Sequence, residues 1–125
     1  MQDILLVGLG GFAGAIARFL VSTWIQSQST LLGLPVGTLM VNVLGCLLIG
    51  ILSQVGTAHG LFTAETRLLV FTGFLGAFTT FSTFGNETIG LVQKDQSILA
   101  LLYIGLHLFF GFGAVLLGNR IGEFI

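Results

Sequence analysis

The stretch TGFLGAFTTFSTF, residues 72–84, lies in the middle of a long apolar segment of the chain. Gly73 and Gly76, followed by the consecutive Thr79 and Thr80, weaken a helix locally because glycine and β-branched residues are poor helix formers. A broken helix at membrane depth is tolerated where its backbone is buried in protein or lines a cavity. The stretch therefore predicts a membrane helix that is interrupted midway.

The whole chain has the composition of an integral membrane protein. Of its 125 residues, 54% are hydrophobic and 7% are charged, whereas a soluble domain normally carries about a quarter charged residues. Four Lys and Arg with five Asp and Glu are too few to cover a soluble core with a polar surface. The net charge of −1 provides no basic surface for nucleic acid, and the single cysteine, Cys46, excludes an intrachain disulfide.

Four stretches reach the roughly 20 mostly apolar residues that a spanning helix needs. They cover about residues 4–25, 36–55, 66–92 and 98–119, with short polar segments at 26–30, 56–60 and 94–96 between them. The start of the chain has no positively charged region, so we expect the first stretch to be a retained span rather than a cleaved signal peptide. The predicted fold class is an all-α membrane protein with four transmembrane helices in one domain, residues 1–125.

Small residues in these spans predict close helix contacts. In lipid, helix association depends on packing, and small residues let two backbones approach each other. Gly10 and Gly14 form a GxxxG pair in the first span, and Gly73 and Ala77 form a similar pair in the third. We expect most of the 19 glycines to serve helix packing.

Charge placement indicates an unusual orientation in the membrane. With four spans both termini lie on one side, which carries Arg67 and Arg120, and the opposite side carries Arg18 and Lys94. Orientation normally follows an excess of Lys and Arg on the cytoplasmic side, and a count of two against two gives none. The count favours insertion in both orientations and an antiparallel homodimer. The alternative is a single orientation set by some other bias.

The interrupted third span carries polar and aromatic side chains at helical spacing. Its polar and small residues recur three and four positions apart, which places them on one helical face that leads to Glu87. They are Thr72, Gly76, Thr79, Ser82, Thr83 and Asn86, and the stripe beside them is Phe74, Phe78, Phe81 and Phe84. Hydroxyls donate hydrogen bonds and phenyl edges carry positive quadrupole character, so together they can replace the hydration shell of a small anion. The alternative is ordinary packing against the same helix, its neighbours and lipid.

Further polar residues lie inside the predicted spans, where they are costly and are candidates for function. Asn42 offers two amide hydrogens and is the strongest of these candidates. Arg18 either reaches toward the membrane surface or places positive charge in a water-filled vestibule. His107 fits a packing residue with one hydrogen bond better than a proton carrier, because no buried acid accompanies it. Carbonyls freed by the broken helix are a candidate cation site, and two per chain on a dimer axis give four ligands.

Three stretches of the sequence form recognisable motifs. The most specific is GAFTTFSTF, residues 76–84, followed by Glu87. The other two are PVGTLMVN, residues 35–42, and GGFAGAIAR, residues 10–18. In this order they resemble the third, second and first helices of the bacterial Fluc (CrcB) fluoride channels, and the resemblance covers nearly the whole chain.

The resemblance implies a dual-topology antiparallel homodimer with two pores for fluoride. The ion pathway that it implies is formed by Phe81, Phe84, Asn42, Ser82, Thr83, Arg18 and Glu87. It also implies one structural sodium ion at the centre of the dimer, held by the backbone carbonyls of Gly76 and Thr79. Two positions depart from the family pattern. Ala77 stands where many members have glycine, and the fourth span has no Ser or Thr after Ser97, so Gly111 or Gly113 occupies the region of the family's pore serine.

The function implied by this resemblance is passive, fluoride-selective export across the bacterial cytoplasmic (inner) membrane, which relieves fluoride toxicity. The alternative is a proton-coupled transporter of the small multidrug resistance type, which is also small and four-spanning. That class needs a buried carboxylate in the first span, and this sequence has none there. We expect no enzymatic activity, because two histidines, one cysteine and few acids do not form a nucleophile–base pair or a metal cluster.

Overall fold

The computed structural model describes residues 1–29 and 33–125, and its regular structure is entirely helical. Helix α1 is Gln2–Gln28, and α2 is Val36–His59. Helix α3 consists of three consecutive pieces, Ala64–Arg67, Leu68–Leu75 and Gly76–Phe78, followed by α4, Phe81–Gln93, and α5, Ser97–Gly122. Four segments of the described chain are long and apolar enough to cross a membrane: α1, α2, the span formed by α3 and α4 together, and α5. The predicted fold class of four apolar helices is confirmed.

The helices are longer than the apolar stretches that predicted them. Residues 56–59 were expected in a loop, but they form the last turn of α2, which ends at Gly60. Gly60 has a φ of 61° and terminates the helix in the left-handed conformation that glycine adopts without strain. Likewise α1 continues through Gln28, whereas Thr30, the end of the expected polar turn at 26–30, lies outside the described residues. Hydropathy marks the part of a helix inside the lipid, and the helix itself extends past it.

Close glycine contacts hold the helices together at the GxxxG pair that the sequence predicted. Within the protomer this does not extend to all 19 glycines. A Cβ would meet nothing within 4 Å at Gly8, Gly11, Gly33, Gly60, Gly85, Gly90, Gly105 and Gly113. Gly10 and Gly14 are buried against α3, and a Cβ on Gly73 would lie 2.9 Å from the Cα of Gly10. A similar close contact between glycines joins α2 to α5, where a Cβ on Gly50 would lie 3.1 Å from the Cα of Gly118. Any side chain at these positions would push the two backbones apart.

The third span is broken at the predicted place. Helix α3 ends at Phe78, and α4 begins at Phe81. Between them Thr79 has φ −86° and ψ 158°, and Thr80 has φ −153° and ψ 114°, both extended conformations. Before the break, Leu68–Leu75 forms a wider π-helix, which the sequence did not predict. The break faces α2, which carries Asn42 and Gly45 at this level.

Candidate ion pathway

The centre of the site is a side chain that replaces the missing helical hydrogen bonds. The Asn42 amide donates through Nδ2 to the Thr80 carbonyl at 3.1 Å, and its Oδ1 accepts from the Thr80 N–H at 2.8 Å. Thr80 is buried, so without these bonds two backbone groups would be unsatisfied at a large cost in free energy. Asn42 therefore connects α2 to the broken span by two hydrogen bonds. One of its two amide hydrogens is not used by Thr80 and remains for another acceptor.

Thr80 in turn begins the second half of the span. Its hydroxyl oxygen accepts from the Thr83 N–H at 3.2 Å, which is a helix N-cap. The same hydroxyl donates to Thr83 Oγ1 at 3.0 Å and lies 3.3 Å from Ser82 Oγ. Ser82 and Thr83 are exposed in the protomer. Two predicted pathway residues are thus linked in one hydroxyl cluster at the first turn of α4.

The helical spacing that predicted one continuous polar face does not continue across the break. Because Thr79 and Thr80 are extended, residues before and after them no longer share a face of one helix. The phenylalanine stripe divides accordingly. Phe74 and Phe78 stack at 5.8 Å in α3, whereas Phe81 and Phe84 form a separate pair at 5.6 Å in α4.

An apolar groove of about 320 Å³ gathers the predicted pore residues at the break. Asn42 lines it from α2, and Phe81 and Phe84 line it from α4. The fourth span contributes His107 and Gly111, so the region expected to lack a serine does face the groove. Phe81 is 83% exposed. Phe84 is half-buried, with its ring 4.2 Å from that of His107.

His107 behaves as a packing residue with one hydrogen bond, as its sequence context predicted. Its Nδ1 lies 3.1 Å from the Tyr103 carbonyl, which has no proton to give, so Nδ1 is the donor. Its ring also meets the edge of the Tyr103 ring at 4.4 Å. Nε2 is buried and has no hydrogen-bond partner within residues 1–29 and 33–125.

A second, polar cleft lies between α1, α2 and α4. One cavity of about 240 Å³ is lined by Arg18, Thr80 and Thr83, and a neighbouring cavity of about 440 Å³ is lined by Glu87. Ser22 and Thr38 line both cavities. Apart from Ser82, which lines none of these cavities, the predicted pathway residues therefore fall into two groups that meet at Thr80. Asn42, Phe81 and Phe84 lie on the apolar groove, and Arg18, Thr83 and Glu87 lie in the cleft.

Two hydroxyls hold the Glu87 carboxylate, and sequence reasoning missed both as its partners. Thr38 Oγ1 donates to Glu87 Oε1 at 2.8 Å, and the fully buried Tyr103 donates to Oε2 at 2.7 Å. The Tyr103 hydroxyl also lies 3.2 Å from the Pro35 carbonyl. Tyr103 is a polar residue inside the fourth predicted span, but no spacing along the chain connects it to Glu87.

Gly76 and Thr79, the predicted carbonyl ligands, flank the end of α3. In a continuous helix their carbonyls would accept from the N–H groups of Thr80 and Thr83. Both N–H groups are instead bonded to side-chain oxygens. The backbone at this point fits a hard cation that prefers oxygen ligands. Within the described chain no three His, Cys, Asp or Glu side chains cluster as an alternative metal site.

Comparison with known proteins gives the family. The sequence model described as "CrcB-like protein, Camphor Resistance (CrcB)" matches residues 5–119. The chain is 40% identical over 121 residues to the fluoride-specific ion channel FluC of Oceanobacillus iheyensis, which covers 97% of this chain and 92% of that protein. It is 42% identical over 123 residues to the FluC of Chlorobaculum tepidum (98% and 96%) and 44% identical over 124 residues to that of Methanococcus maripaludis (99% and 98%). With four membrane-spanning helices and this likeness over almost its full length, the chain is a multi-pass membrane protein of the CrcB family.

Proposed function

We propose that this protein is a fluoride-selective channel of the cytoplasmic membrane that lets fluoride leave the cell passively. The observation that carries the proposal is the groove where the Asn42 amide meets the Phe81–Phe84 pair. Relatives over 40% identical along nearly the whole chain are named fluoride-specific ion channels. Ion export of this kind relieves fluoride toxicity without any enzymatic step.

The chemistry of the groove suits a small anion that must both enter and leave. Fluoride is strongly hydrated, so entry requires donors that stand in for water. Asn42 has one amide hydrogen that Thr80 does not use, and phenyl edges offer weaker positive character. Conduction also requires that no site bind the ion too tightly. A row of neutral donors meets this condition better than a buried Lys or Arg would.

The polar cleft supplies the approach to this groove. Arg18 and the Thr80–Thr83 hydroxyls share one cavity, and it adjoins the Glu87 cavity through Ser22 and Thr38. Arg18 raises the local concentration of anions, while Glu87 opposes tight binding near it. We place Ser82, exposed beside the same hydroxyls, on the path as well.

The working unit that we propose is an antiparallel homodimer surrounded by lipid. Phe81 is 83% exposed in the protomer, so as a pore residue it needs a second chain to complete the wall of the pore around it. The count of two Lys and Arg on each side supports insertion in both orientations. In such a dimer each pore is completed by the partner.

We further propose one structural sodium ion on the dimer axis, held by the carbonyls of Gly76 and Thr79 from both chains. The diverted N–H groups of Thr80 and Thr83 support this assignment. When bound, the ion supplies a fixed positive charge near the anion paths and holds the two broken helices together.

The small multidrug resistance alternative has no support in these findings. A proton-coupled exchanger needs a carboxylate in the middle of its first span, and the only acid of α1 is Asp3 in its first turn. Family membership likewise favours a channel over an enzyme.

Fluoride efflux from liposomes that contain only this protein tests the proposal. Vesicles loaded with fluoride and made permeable to potassium should release fluoride to an external electrode within seconds to minutes. Vesicles loaded with chloride are the matched control and should release little. Equal release of both anions would contradict selectivity, and no release of either from folded protein would contradict the channel.

A further inference from the structure

The broken third span presents two backbone carbonyls whose helical donors have been taken by side chains. An α-helix pairs each carbonyl with the N–H four residues later. For Gly76 and Thr79 those donors are the N–H groups of Thr80 and Thr83. Neither donor points back along the helix, since one donates to Asn42 and the other to the Thr80 hydroxyl.

The Asn42 bond is the stronger of the two replacements. Its Oδ1 accepts the Thr80 N–H at 2.8 Å, and its Nδ2 donates to the Thr80 carbonyl at 3.1 Å. Two opposed bonds fix the plane of the amide and hold Thr80 at φ −153°, far from helical values. With Asn42 in place, the Thr80 N–H is not available to Gly76.

The Thr80 bond does the same for the second carbonyl. Thr80 Oγ1 accepts the Thr83 N–H at 3.2 Å as the N-cap of α4. The Thr79 hydroxyl is turned away, because it donates to the Leu75 carbonyl at 3.0 Å. The oxygen of Thr79 that lacks a hydrogen-bond donor from the helix is therefore its backbone carbonyl, and not its hydroxyl.

We propose that Asn42 and Thr80 are the positioning residues of the sodium site. Each side-chain oxygen takes one N–H group that would otherwise occupy one carbonyl, Asn42 for Gly76 and Thr80 for Thr79. The inference rests on the sodium site of the proposed function and assigns the side chains that create it. It also gives Asn42 a role toward both sodium and fluoride, because the same amide lines the groove proposed for fluoride.

The competing explanation is that these side chains only end one helix and start the next. A cap of that kind stabilises the fold by the same amount whether sodium is present or not. A positioning role instead changes the affinity for sodium, since a carbonyl must give up its helical bond before it can bind the ion. The stabilisation that sodium confers on the folded protein therefore separates the two explanations.

The experiment is thermal unfolding of the purified protein at increasing sodium concentration, with potassium added to keep the ionic strength constant. Wild type should unfold at a higher temperature as sodium rises, with a measurable midpoint. Thr80→Val keeps the β-branched shape and loses the acceptor, so its sodium midpoint should rise about tenfold, equivalent to one weakened ligand. Thr80→Ser keeps the acceptor and is the matched control, with a midpoint close to wild type.

Asn42 provides an independent pair of variants. Asn42→Ala removes the acceptor of the Thr80 N–H and should also raise the sodium midpoint about tenfold. Asn42→Asp keeps an oxygen in that place and should leave sodium binding at least as tight as in wild type. Wild-type midpoints in both Thr80→Val and Asn42→Ala would overturn the positioning role. No sodium response in wild type would overturn the sodium site itself, while fluoride efflux from the same preparation reports separately on the channel.

Discussion

The Tyr103 hydroxyl on α5 donates a 2.7 Å hydrogen bond to Glu87 Oε2 on α4, and this bond joins the broken span to the last helix. Thr38 on α2 donates to the other carboxylate oxygen. Both hydroxyl hydrogens are thereby committed to an anion that belongs to the protein. On the proposed path, a fluoride ion in the cleft can use the Thr38 hydroxyl only when the Glu87 carboxylate moves away from it.

Tyr103→Phe tests the strength of this bond. The variant keeps the ring contacts with Phe84 and His107 and removes only the hydroxyl, which leaves Glu87 with Thr38 as its one donor. Loss of a hydrogen bond to a charged, partly buried group should lower the free energy of unfolding by about 2 kcal/mol. The measurement is unfolding of the purified protein in detergent. An unchanged unfolding temperature would mean that Glu87 finds another donor when Tyr103 is truncated.

Phe81→Ile tests whether the ring acts by electrostatics. Isoleucine preserves apolar bulk but lacks the positive ring edge, so fluoride efflux should fall at least about tenfold while the proposed dimer still purifies intact. Because Phe81 is 83% exposed in the protomer, the loss of packing within one chain is small. If Phe81 only packs between helices, the variant would be less stable and would conduct normally per folded dimer. That result would remove Phe81 from the pore.

Gly45→Ala tests the approach of α2 to the break. A Cβ at Gly45 would overlap the methyl group of Thr79, so the Thr79 side chain, the helix or the break must shift. Overpacking of this kind should cost about 1–3 kcal/mol of stability. Gly105→Ala is the matched control, since a Cβ there meets nothing within 4 Å in the protomer. Equal unfolding temperatures for the two variants would show that Thr79 or the break yields to the added methyl group without cost.

The position of the break was predictable, but its consequences were not. Gly73, Gly76 and the Thr79–Thr80 pair identify a weak point because local propensity depends only on neighbouring residues. The extended conformation of Thr79 and Thr80 changes which later residues share a face with earlier ones. A rule based on helical spacing assumes an unbroken helix with the same rotation at every residue. It therefore predicted one continuous polar face, whereas the structure has two separate groups of residues.

For a related reason, the sequence could not predict which residues on different helices bond to each other. Asn42 was identified as a polar residue that is costly inside a membrane. Its neighbours along the chain do not indicate that its partner is Thr80, which lies 38 residues later. Glu87 and Tyr103 are likewise joined only because α4 and α5 pack side by side. Single-sequence reasoning finds residues that need a partner, and packing decides which partner each one has.

Dual topology is tested by labelling one loop position from outside the cell. In a Cys46→Ala background, Gln96→Cys places a single thiol in the exposed turn between α4 and α5. An impermeant thiol reagent should modify about half of the protein in intact cells and nearly all of it after lysis, because two equal orientations are expected. Labelling that is complete or absent in intact cells would show one orientation and remove the antiparallel dimer.

Asn42→Asp tests whether fluoride passes beside the Asn42 side chain. Asparagine and aspartate have nearly the same shape, so the variant keeps an acceptor for the Thr80 N–H and adds one negative charge to the groove. Two like charges about 4 Å apart repel by roughly 4 kcal/mol at an effective dielectric constant of about 20. Fluoride efflux should therefore fall by about a hundredfold or more.

Asn42→Ala separates the effect of charge from the loss of the donor. It removes the amide without adding a negative charge, so its efflux should fall by less than that of Asn42→Asp if the ion passes within a few ångströms. Both are measured as fluoride efflux per folded dimer in the same liposomes. Efflux from Asn42→Asp that equals or exceeds that of Asn42→Ala would place the side chain outside the ion's path, because aspartate keeps one of the two bonds to Thr80 and alanine keeps neither. Asn42 would then act on the channel only through its two bonds to the Thr80 backbone, as the residue that holds the broken helix open.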